Sequence, residues 1–222
     1  MNVAFLTTIF PIKEEYLSDF FDSLLRQTYK DFDIVVVNDG YENFKKITNS
    51  YSELNIIELE FSDTPAKNRE YGINYCLDND YELLIFGDID DYFSSDRVKE
   101  SIDHLKSFDI VVNDLSLFNA NGIYEKQYIS HRLEHGSIIN FDYIKDKNIF
   151  GLSNTAIRLS IMGKVNIDKN VIAVDWFIYK GLLKMGYSAV FINTAETFYR
   201  QYDSNIVGLN NANGNYLLWW EE

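Results

Sequence analysis

The stretch ELLIFGDIDDYF, residues 82–93, joins a run of apolar residues directly to a cluster of acids. A short apolar run bounded by turn residues is typical of a buried β-strand. Asp88, Asp90 and Asp91 then follow within four positions. Carboxylates this close repel one another unless a cation or a basic group relieves them. The stretch therefore predicts a buried strand that ends in an unusual concentration of negative charge.

Two interpretations of these acids remain open on spacing alone. Clustered carboxylates favour Mg²⁺ or Mn²⁺, which proteins bind through one or two carboxylates together with substrate phosphates. The alternative is a solvated acidic turn in which Asp91 or Ser94 caps the following helix. Acidic strand ends are common in α/β folds, so the motif by itself does not decide between a metal site and a turn.

Outward from this stretch, strands alternate with helices through the first half of the chain. Periodicity predicts strands over residues 2–10, 34–37, 55–61 and 82–86. It predicts helices over residues 16–25 and 43–51, a third that starts at Pro65 with Thr64 as N-cap, and a fourth that runs through Leu105 with Ser94 or Ser95 as its cap. This order predicts a parallel sheet with helices on its faces.

Beyond residue 109 the pattern is mixed. We expect a strand over 109–118, a sheet edge or hairpin arm over 122–130, short and long helices over 141–147 and 174–185, and a strand over 188–192. Gly186 is a good stop for the long helix. We expect one domain over residues 1–222, in which the boundary near 110 separates two halves, 1–109 and 110–222.

Charge and cysteine usage restrict the function classes. A net charge of −14 argues against DNA or RNA as the partner, because phosphate backbones are bound by basic faces. One bound metal ion can reverse the sign of the local charge, so the net charge does not exclude a small phosphorylated ligand. The single cysteine, Cys76, excludes an intramolecular disulfide and fits a reducing compartment. We expect a soluble cytoplasmic protein, with peripheral association at the inner face of the membrane left open. Trp219 and Trp220 near the end are compatible with a lid, a docking point or simple packing.

The acids fall at one edge of the predicted sheet. Asp39 follows the strand at 34–37, and Asp88 follows the strand at 82–86. Ligands of open α/β sheets bind outside the carboxyl ends of the strands, near the point where strand order reverses. Asp39 lies in an Asn-Asp-Gly sequence, which also favours a tight turn. Its position at the end of a strand suits both a ligand contact and a tight turn.

Five segments in this order resemble one family. They are VAFLTTIFPIKEEYLSDFFDSLLRQTYKDFDIVVVNDG (3–40), AKNREYGINYC (66–76), FGDIDDYFSSDRV (86–98), VDWFIYKGLLKMGY (174–187) and FYRQYDSNIVG (198–208). Together they resemble the family 2 glycosyltransferases, inverting sugar transferases, over about residues 1–205. The resemblance implies the GT-A fold, a Rossmann-like three-layer α/β/α architecture with a mixed, mostly parallel sheet. It makes 1–109 the nucleotide-binding half and 110–222 the acceptor-binding half.

The resemblance also implies roles for the acids. Asp39 would accept a hydrogen bond from the imide of a uracil or from a comparable base edge. Asp88 would lie near the ribose and the metal, and Asp90 would bind the Mn²⁺ or Mg²⁺ ion directly. Asp175 would be the general base that deprotonates the acceptor hydroxyl, although it could instead cap the helix that follows.

Further residues are implied to bind the nucleotide-sugar donor: Pro11, Ile89, Arg69 and Arg200. Arg69 would lie near the diphosphate, although a surface pair with a neighbouring acid is the alternative. Arg200 would contact a phosphate or close a salt bridge.

The chain departs from the family pattern at several positions: Ile12, Lys13 and Glu14 in place of the residues after the proline, Asn38 in place of an acid, Glu70 in place of Asn, Val174 in place of an acid, and Tyr202 in place of a late His. That His can contribute to metal binding, so Tyr202 bears on how tightly a metal is held.

The predicted function is metal-assisted, inverting transfer of a sugar from a nucleotide donor to a saccharide or lipid-linked saccharide acceptor, in bacterial surface-glycan synthesis. The main alternative is a related domain without activity that serves as a binding or scaffold module. A phosphatase fits less well, because its paired Asp residues follow the first strand rather than the fourth. A sugar-phosphate nucleotidyltransferase would need a Gly-rich loop after the first strand, and TTIFPIKEE has no Gly.

Overall fold

The computed structural model describes residues 1–202, so the predictions for Trp219 and Trp220 fall outside it. The strands are β1 (Val3–Ile9), β2 (Asp33–Asn38), β3 (Asn55–Glu60), β4 (Leu83–Phe86), β5 (Tyr92–Phe93), β6 (Ile110–Asn119), β7 (Gly122–Glu125), β8 (Ile138–Ile139), β9 (Thr155–Arg158) and β10 (Ala189–Arg200). The helices are α1 (Glu14–Leu25), α2 (Phe44–Asn49), α3 (Pro65–Asp78), α4 (Arg97–Leu105), α5 (Phe141–Ile144) and α6 (Val174–Lys184). None of these helices is long and apolar enough to cross a membrane.

The strands of the described range form one mixed sheet in the order β3-β2-β1-β4-β9-β6-β10-β5, with β7 added on β6 and β8 on β10. β1 pairs in parallel with β2 on one side and with β4 on the other. The strand order therefore reverses at β1, which makes the carboxyl ends of β1, β2 and β4 the place where such sheets bind ligands.

The second half inserts an antiparallel strand that the sequence pattern did not predict. β9, only four residues long, pairs antiparallel with β4 and with β6. It is preceded and followed by single turns of 3₁₀ helix. A strand of four residues is too short for an alternation of apolar and polar residues to be recognised in the sequence. Its pairing with a strand on each side stabilises it.

Two hydrophobic cores lie on opposite faces of the sheet, because successive side chains of a strand point to opposite faces. Ala4 and Leu6 of β1 pack on one face with α3 and α6. Phe5 and Ile9 pack on the other face with α1 and α4. Cys76 of α3 is fully buried, and burial raises the pKa of its thiol to about 12, so it packs as a small apolar residue. The three-layer prediction is confirmed.

One predicted helix cap is confirmed and another is wrong. The Thr64 hydroxyl accepts a hydrogen bond from the backbone N–H of Lys67, as expected at the start of α3. Asp96, not Ser94 or Ser95, precedes the first residue of α4, and its side chain makes no capping bond. The Ser94 hydroxyl instead accepts from the backbone N–H of Glu196 in β10, at 2.9 Å. Ser94 thus bonds a strand that is distant in the chain, a contact that no local sequence pattern predicts.

Candidate functional site

Asp39 lies at the carboxyl end of β2, beside the end of β1. Its backbone N–H donates to the Ile9 carbonyl at 2.7 Å, which extends the pairing of the two strands by one residue. Its carboxylate accepts hydrogen bonds from the Ser62 hydroxyl and, at 2.9 Å, from the Asn68 side chain. Asn68 is 1% exposed and also bonds both backbone groups of Asp63. Asp39 therefore enters the site with a fixed orientation.

The turn after β2 is closed by Asn38 rather than by Asp39. The Asn38 side chain accepts from the Tyr41 N–H at 2.8 Å and donates to the Tyr41 carbonyl at 3.0 Å. It also donates to Glu58 of β3 at 2.6 Å. An Asn amide can donate and accept at once, which a carboxylate cannot. Asn38 stands where the resemblance leads us to expect an acid. Its amide makes the side-chain contacts of the turn, so the Asp39 carboxylate is not used there.

Asp88 follows β4 and is paired with Arg69 of α3. The Arg69 Nη2 atom lies 3.2 Å from the Asp88 Oδ1 atom, and both side chains are about one-third exposed or less. The surface alternatives for Arg69 are not formed, since Glu70 instead accepts from Lys67 at 2.7 Å and from the backbone N–H of Ile167 at 2.6 Å. Arg69 and Asp88 line a small cavity together with residues from the ends of β1 and β4.

Asp91 is not a helix cap; the prediction is wrong because this side chain points into the protein. It is fully buried and accepts from the Ser153 hydroxyl at 2.5 Å and from the backbone N–H of Arg200 at 2.8 Å. Burial, together with the charges of Asp90 and Asp88, holds its pKa well above the usual value for Asp. Ser153 also accepts from the Asp88 N–H at 3.2 Å. The Ser153 hydroxyl thus contacts both ends of the acidic loop, residues 88–91.

Asp90 is partly exposed, unlike the buried Asp91. Its carboxylate accepts from the Tyr202 hydroxyl at 2.7 Å. Burial raises its pKa, and the neighbouring negative charge of Asp88 raises it further. Such repulsion is what a cation at this position would relieve.

Arg200, near the end of β10, ties this strand to α1. Its Nε atom donates to the Asp90 carbonyl at 2.7 Å, and its Nη2 atom lies 2.5 Å from the Asp19 carboxylate. The guanidinium also lies over the Tyr16 ring, 4.1 Å from the centroid. The salt bridge considered as an alternative is therefore formed, while a phosphate contact remains a prediction.

The two apolar residues predicted to bind the donor differ in accessibility. Pro11 is exposed, two residues beyond the end of β1. Ile89 is 1% exposed and packs in the core on the α1 face. Any contact of Ile89 with a ligand would therefore be made by its backbone.

Asp175 lies in the first turn of α6, but Ala173 occupies the N-cap position. Asp175 accepts from the Trp176 N–H at 2.8 Å and from the Asn148 side chain at 3.1 Å. Burial raises its pKa to about 6. The charge of Arg69 lowers that pKa and the charge of Asp88 raises it, so the three groups share one electrostatic environment.

Sequence reasoning missed the residues that orient these carboxylates: Ser62, Asn68, Asn148 and Ser153. Asn68 had a local signal, since it lies in the first turn of a helix whose N-cap was predicted correctly. Asn148 and Ser153 had none, because each reaches a carboxylate at least 27 residues away in the chain.

Comparisons with known proteins bear on this arrangement. Residues 8–165 match the profile of Glycosyl transferase family 2. Glycosyltransferase GlyA of Streptococcus pneumoniae serotype 4 is 33% identical over 123 residues, which cover 51% of this chain and 17% of that protein. The match therefore spans about one-sixth of that curated relative.

Solved structures are similar over almost the whole chain. S. aureus TarS 1–349 in complex with UDP has a TM-score of 0.71 at 16% identity, covering 90% of this chain and 61% of that one. Mannosyltransferase PcManGT from Pyrobaculum calidifontis, in complex with GDP-Man and Mn²⁺, has a TM-score of 0.68 at 14% identity, covering 92% and 58%. At this level of identity the similarity establishes the fold, which is GT-A.

Proposed function

The chain belongs to glycosyl transferase family 2, and on that premise we propose that it transfers a sugar from a nucleoside-diphosphate sugar to a hydroxyl of a saccharide acceptor, with inversion. One observation carries the proposal: Asp39 and Asp88 end the parallel strands on either side of β1, and Asp175 shares the electrostatic environment of Asp88 and Arg69. A donor site and a base would thus lie together at the switch point of the sheet.

Donor binding would use the first half of the chain. The Asp39 carboxylate, oriented by Ser62 and Asn68, is an acceptor suited to an N–H group of the nucleobase. Arg69 is the cation beside Asp88 and would contact the diphosphate, since a guanidinium matches phosphate oxygens in geometry and charge.

The acidic loop fits a divalent cation. In residues 1–202, no three His, Cys, Asp or Glu side chains converge to hold a metal by themselves. Mg²⁺ and ions like it usually take only one or two carboxylates and complete their shell with substrate phosphates and water. Asp90 and Asp88 would be those ligands, and the mutual repulsion that raises the Asp90 pKa supports this assignment. A bound Mn²⁺ or Mg²⁺ ion would supply positive charge that stabilises the departing diphosphate.

Asp175 would be the general base. The acceptor hydroxyl oxygen attacks the anomeric carbon from the face opposite the diphosphate, and its proton passes to the Asp175 carboxylate. The bond from the anomeric carbon to the diphosphate breaks, and its electron pair leaves with the diphosphate. A single displacement of this kind inverts the anomeric configuration. A pKa near 6 makes Asp175 a stronger base than an ordinary Asp while leaving it mostly ionised at neutral pH.

We extend the proposal to the acceptor, a saccharide or lipid-linked saccharide of a bacterial surface glycan. The bacterial origin of the 33% identical GlyA protein supports the bacterial setting of this extension.

Calorimetric titration tests the donor proposal. UDP, GDP, CDP and dTDP would each be titrated into the protein with and without Mn²⁺; the similar structures with UDP and GDP-Man give priority to the first two. We expect one nucleotide to bind with micromolar affinity, and more tightly with Mn²⁺. Absence of binding for all four, with and without the metal, would contradict a transferase and favour the scaffold alternative.

A further inference from the structure

Asn148 is the side chain that connects a separate loop to the proposed base. It lies between α5 and β9, and its Nδ2 atom donates to the Asp175 Oδ2 atom at 3.1 Å. The other carboxylate oxygen, Oδ1, accepts from the backbone N–H of Trp176 at 2.8 Å. The carboxylate is therefore held at both oxygens by two donors from different parts of the chain.

The Asn148 amide has a defined orientation. Its Oδ1 atom accepts from the backbone N–H of Phe150 at 3.0 Å. Because an N–H must face an acceptor, this bond assigns the oxygen of the amide to Phe150 and the nitrogen to Asp175. A flipped amide would lose both bonds.

The same segment also anchors the helix that carries Asp175. The indole N–H of Trp176 donates to the Ile144 carbonyl at 3.0 Å, and the Lys180 ammonium donates to the Lys145 carbonyl at 3.1 Å. Residues 144–150 thus fix both the first turn of α6 and the carboxylate on it.

We propose that Asn148 is a positioning residue that orients the Asp175 carboxylate and keeps it ionised for the proton transfer; this inference rests on the proposed function. A carboxylate has about four acceptor positions. The two protein donors use two of them, which leaves capacity for the acceptor hydroxyl. An amide N–H favours the charged form of its partner, and this bond does lower the pKa of Asp175 against the effect of burial.

Titration of the Asp175 carboxyl tests the inference without any substrate. Protein labelled with ¹³C at the aspartate side-chain carboxyls would be followed by NMR against pH, with the Asp175 resonance assigned by its loss in Asp175→Asn. Asn148→Leu removes the donor, and Asn148→Asp keeps the shape but adds a like charge. Asn170→Leu is the matched control, because exposed Asn170 donates to Asp168 at 2.8 Å in the same way. Asn148→Ala replaces the Leu variant if that variant does not fold.

We expect the wild-type midpoint near 6 and a rise of about one unit in Asn148→Leu, the size expected for one hydrogen bond to a charged group. Asn148→Asp should rise further, and Asn170→Leu should not move. A midpoint in Asn148→Leu within about 0.3 unit of the wild type would overturn the inference, given the usual size of such a bond. So would an equal shift in the control.

Turnover then separates this inference from the proposed function. If Asp175 is the base, the acid limb of kcat in Asn148→Leu moves to higher pH in step with the NMR midpoint, while the KM for the donor stays the same. An NMR shift without any turnover in the wild type would contradict the proposed function alone. A limb that stays at the wild-type pH in Asn148→Leu while the NMR midpoint moves would show that kcat does not depend on Asp175, which contradicts both its role as base and the role of Asn148 in the proton transfer.

Discussion

The carboxylates Asp39 and Asp175 reach the site by different means. Asp39 is placed by the backbone, since it directly follows β2 and its N–H continues the pairing with β1. Asp175 is placed by contacts with a distant segment: the Asn148 side chain donates to its carboxylate, and the indole of the adjacent Trp176 donates to the Ile144 carbonyl. The loop before α6 is held in turn by Glu70 of α3, at the Ile167 N–H.

The difference shows what each half contributes to the site. Parallel strands bring their carboxyl ends to one edge whatever their side chains, so the donor residues follow from topology. The base depends on a few hydrogen bonds, each of which one substitution can remove. We therefore expect changes in the first half to affect nucleotide binding and changes near α6 to affect turnover.

Asp175→Asn should give the largest effect. The amide cannot accept a proton, so turnover should fall by about 10² to 10⁴-fold, the usual contribution of a general base. Nucleotide affinity, measured by calorimetry, should stay within about twofold because the proposed partner of Asp175 is the acceptor hydroxyl and not the nucleotide. Retention of more than about one-tenth of wild-type kcat would remove Asp175 from this role.

Asp39→Ala tests the other side of the comparison. Loss of a charged acceptor for the nucleobase should weaken nucleotide binding by about 10- to 100-fold. Pyrophosphate, which has no base, should bind the variant as it binds the wild type. Asp31→Ala is the control, because exposed Asp31 precedes the same strand at its opposite end. Equal weakening in both variants would show that the effect is not local.

The pH dependence of kcat should follow the Asp175 carboxyl. The base acts in its ionised form, which predominates above the pKa, so activity is lost as the pH falls. Because the pKa is raised to about 6, half of the activity should be lost near pH 6 rather than near pH 4. At pH 5 kcat should be about one-tenth of its plateau. Rate measurements at saturating donor and acceptor check this, and a plateau that persists below about pH 5 would contradict it.

Two glycines should give the smallest effects, on stability only. A Cβ atom at Gly72 of α3 would lie 2.7 Å from Leu6 Cδ1 and 2.9 Å from Val37 Cγ2, so Gly72→Ala should cost about 1 to 3 kcal/mol. A Cβ atom at Gly181 of α6 meets no atom within 4 Å, so Gly181→Ala should stabilise by about 0.5 to 1 kcal/mol. Urea unfolding measures both, and stabilisation by Gly72→Ala would contradict the close packing of α3 on the sheet.

The two halves differ in how well their secondary structure was predicted from the sequence. Strands β1 to β4 and the helices of the first half were predicted to within a few residues, because their apolar periods are long and their turns are marked by Pro, Gly or Thr. The two-residue strand β5, which pairs antiparallel with β10, was missed. In the second half β9 was missed and β10 is longer than predicted. The pairing of β10 with β6 shifts register between Ile192 and Glu196 and then continues to Arg200, past residues with no apolar alternation.

Local patterns in the chain predicted the parallel strands β1 to β4 and the rim on which Asp39 and Asp88 lie, because strand periodicity and strand ends are local properties. The family was predicted from the resemblance of five segments. No local pattern predicted that Asp91 is buried, that Arg200 pairs with Asp19, or that Asn148 donates to Asp175, because packing between distant segments produces these contacts. These outcomes depend on which donors approach each carboxylate from distant segments. Neighbouring acids such as Asp90 and Asp91 look alike in the sequence, and packing alone makes one a candidate metal ligand and the other part of the interior.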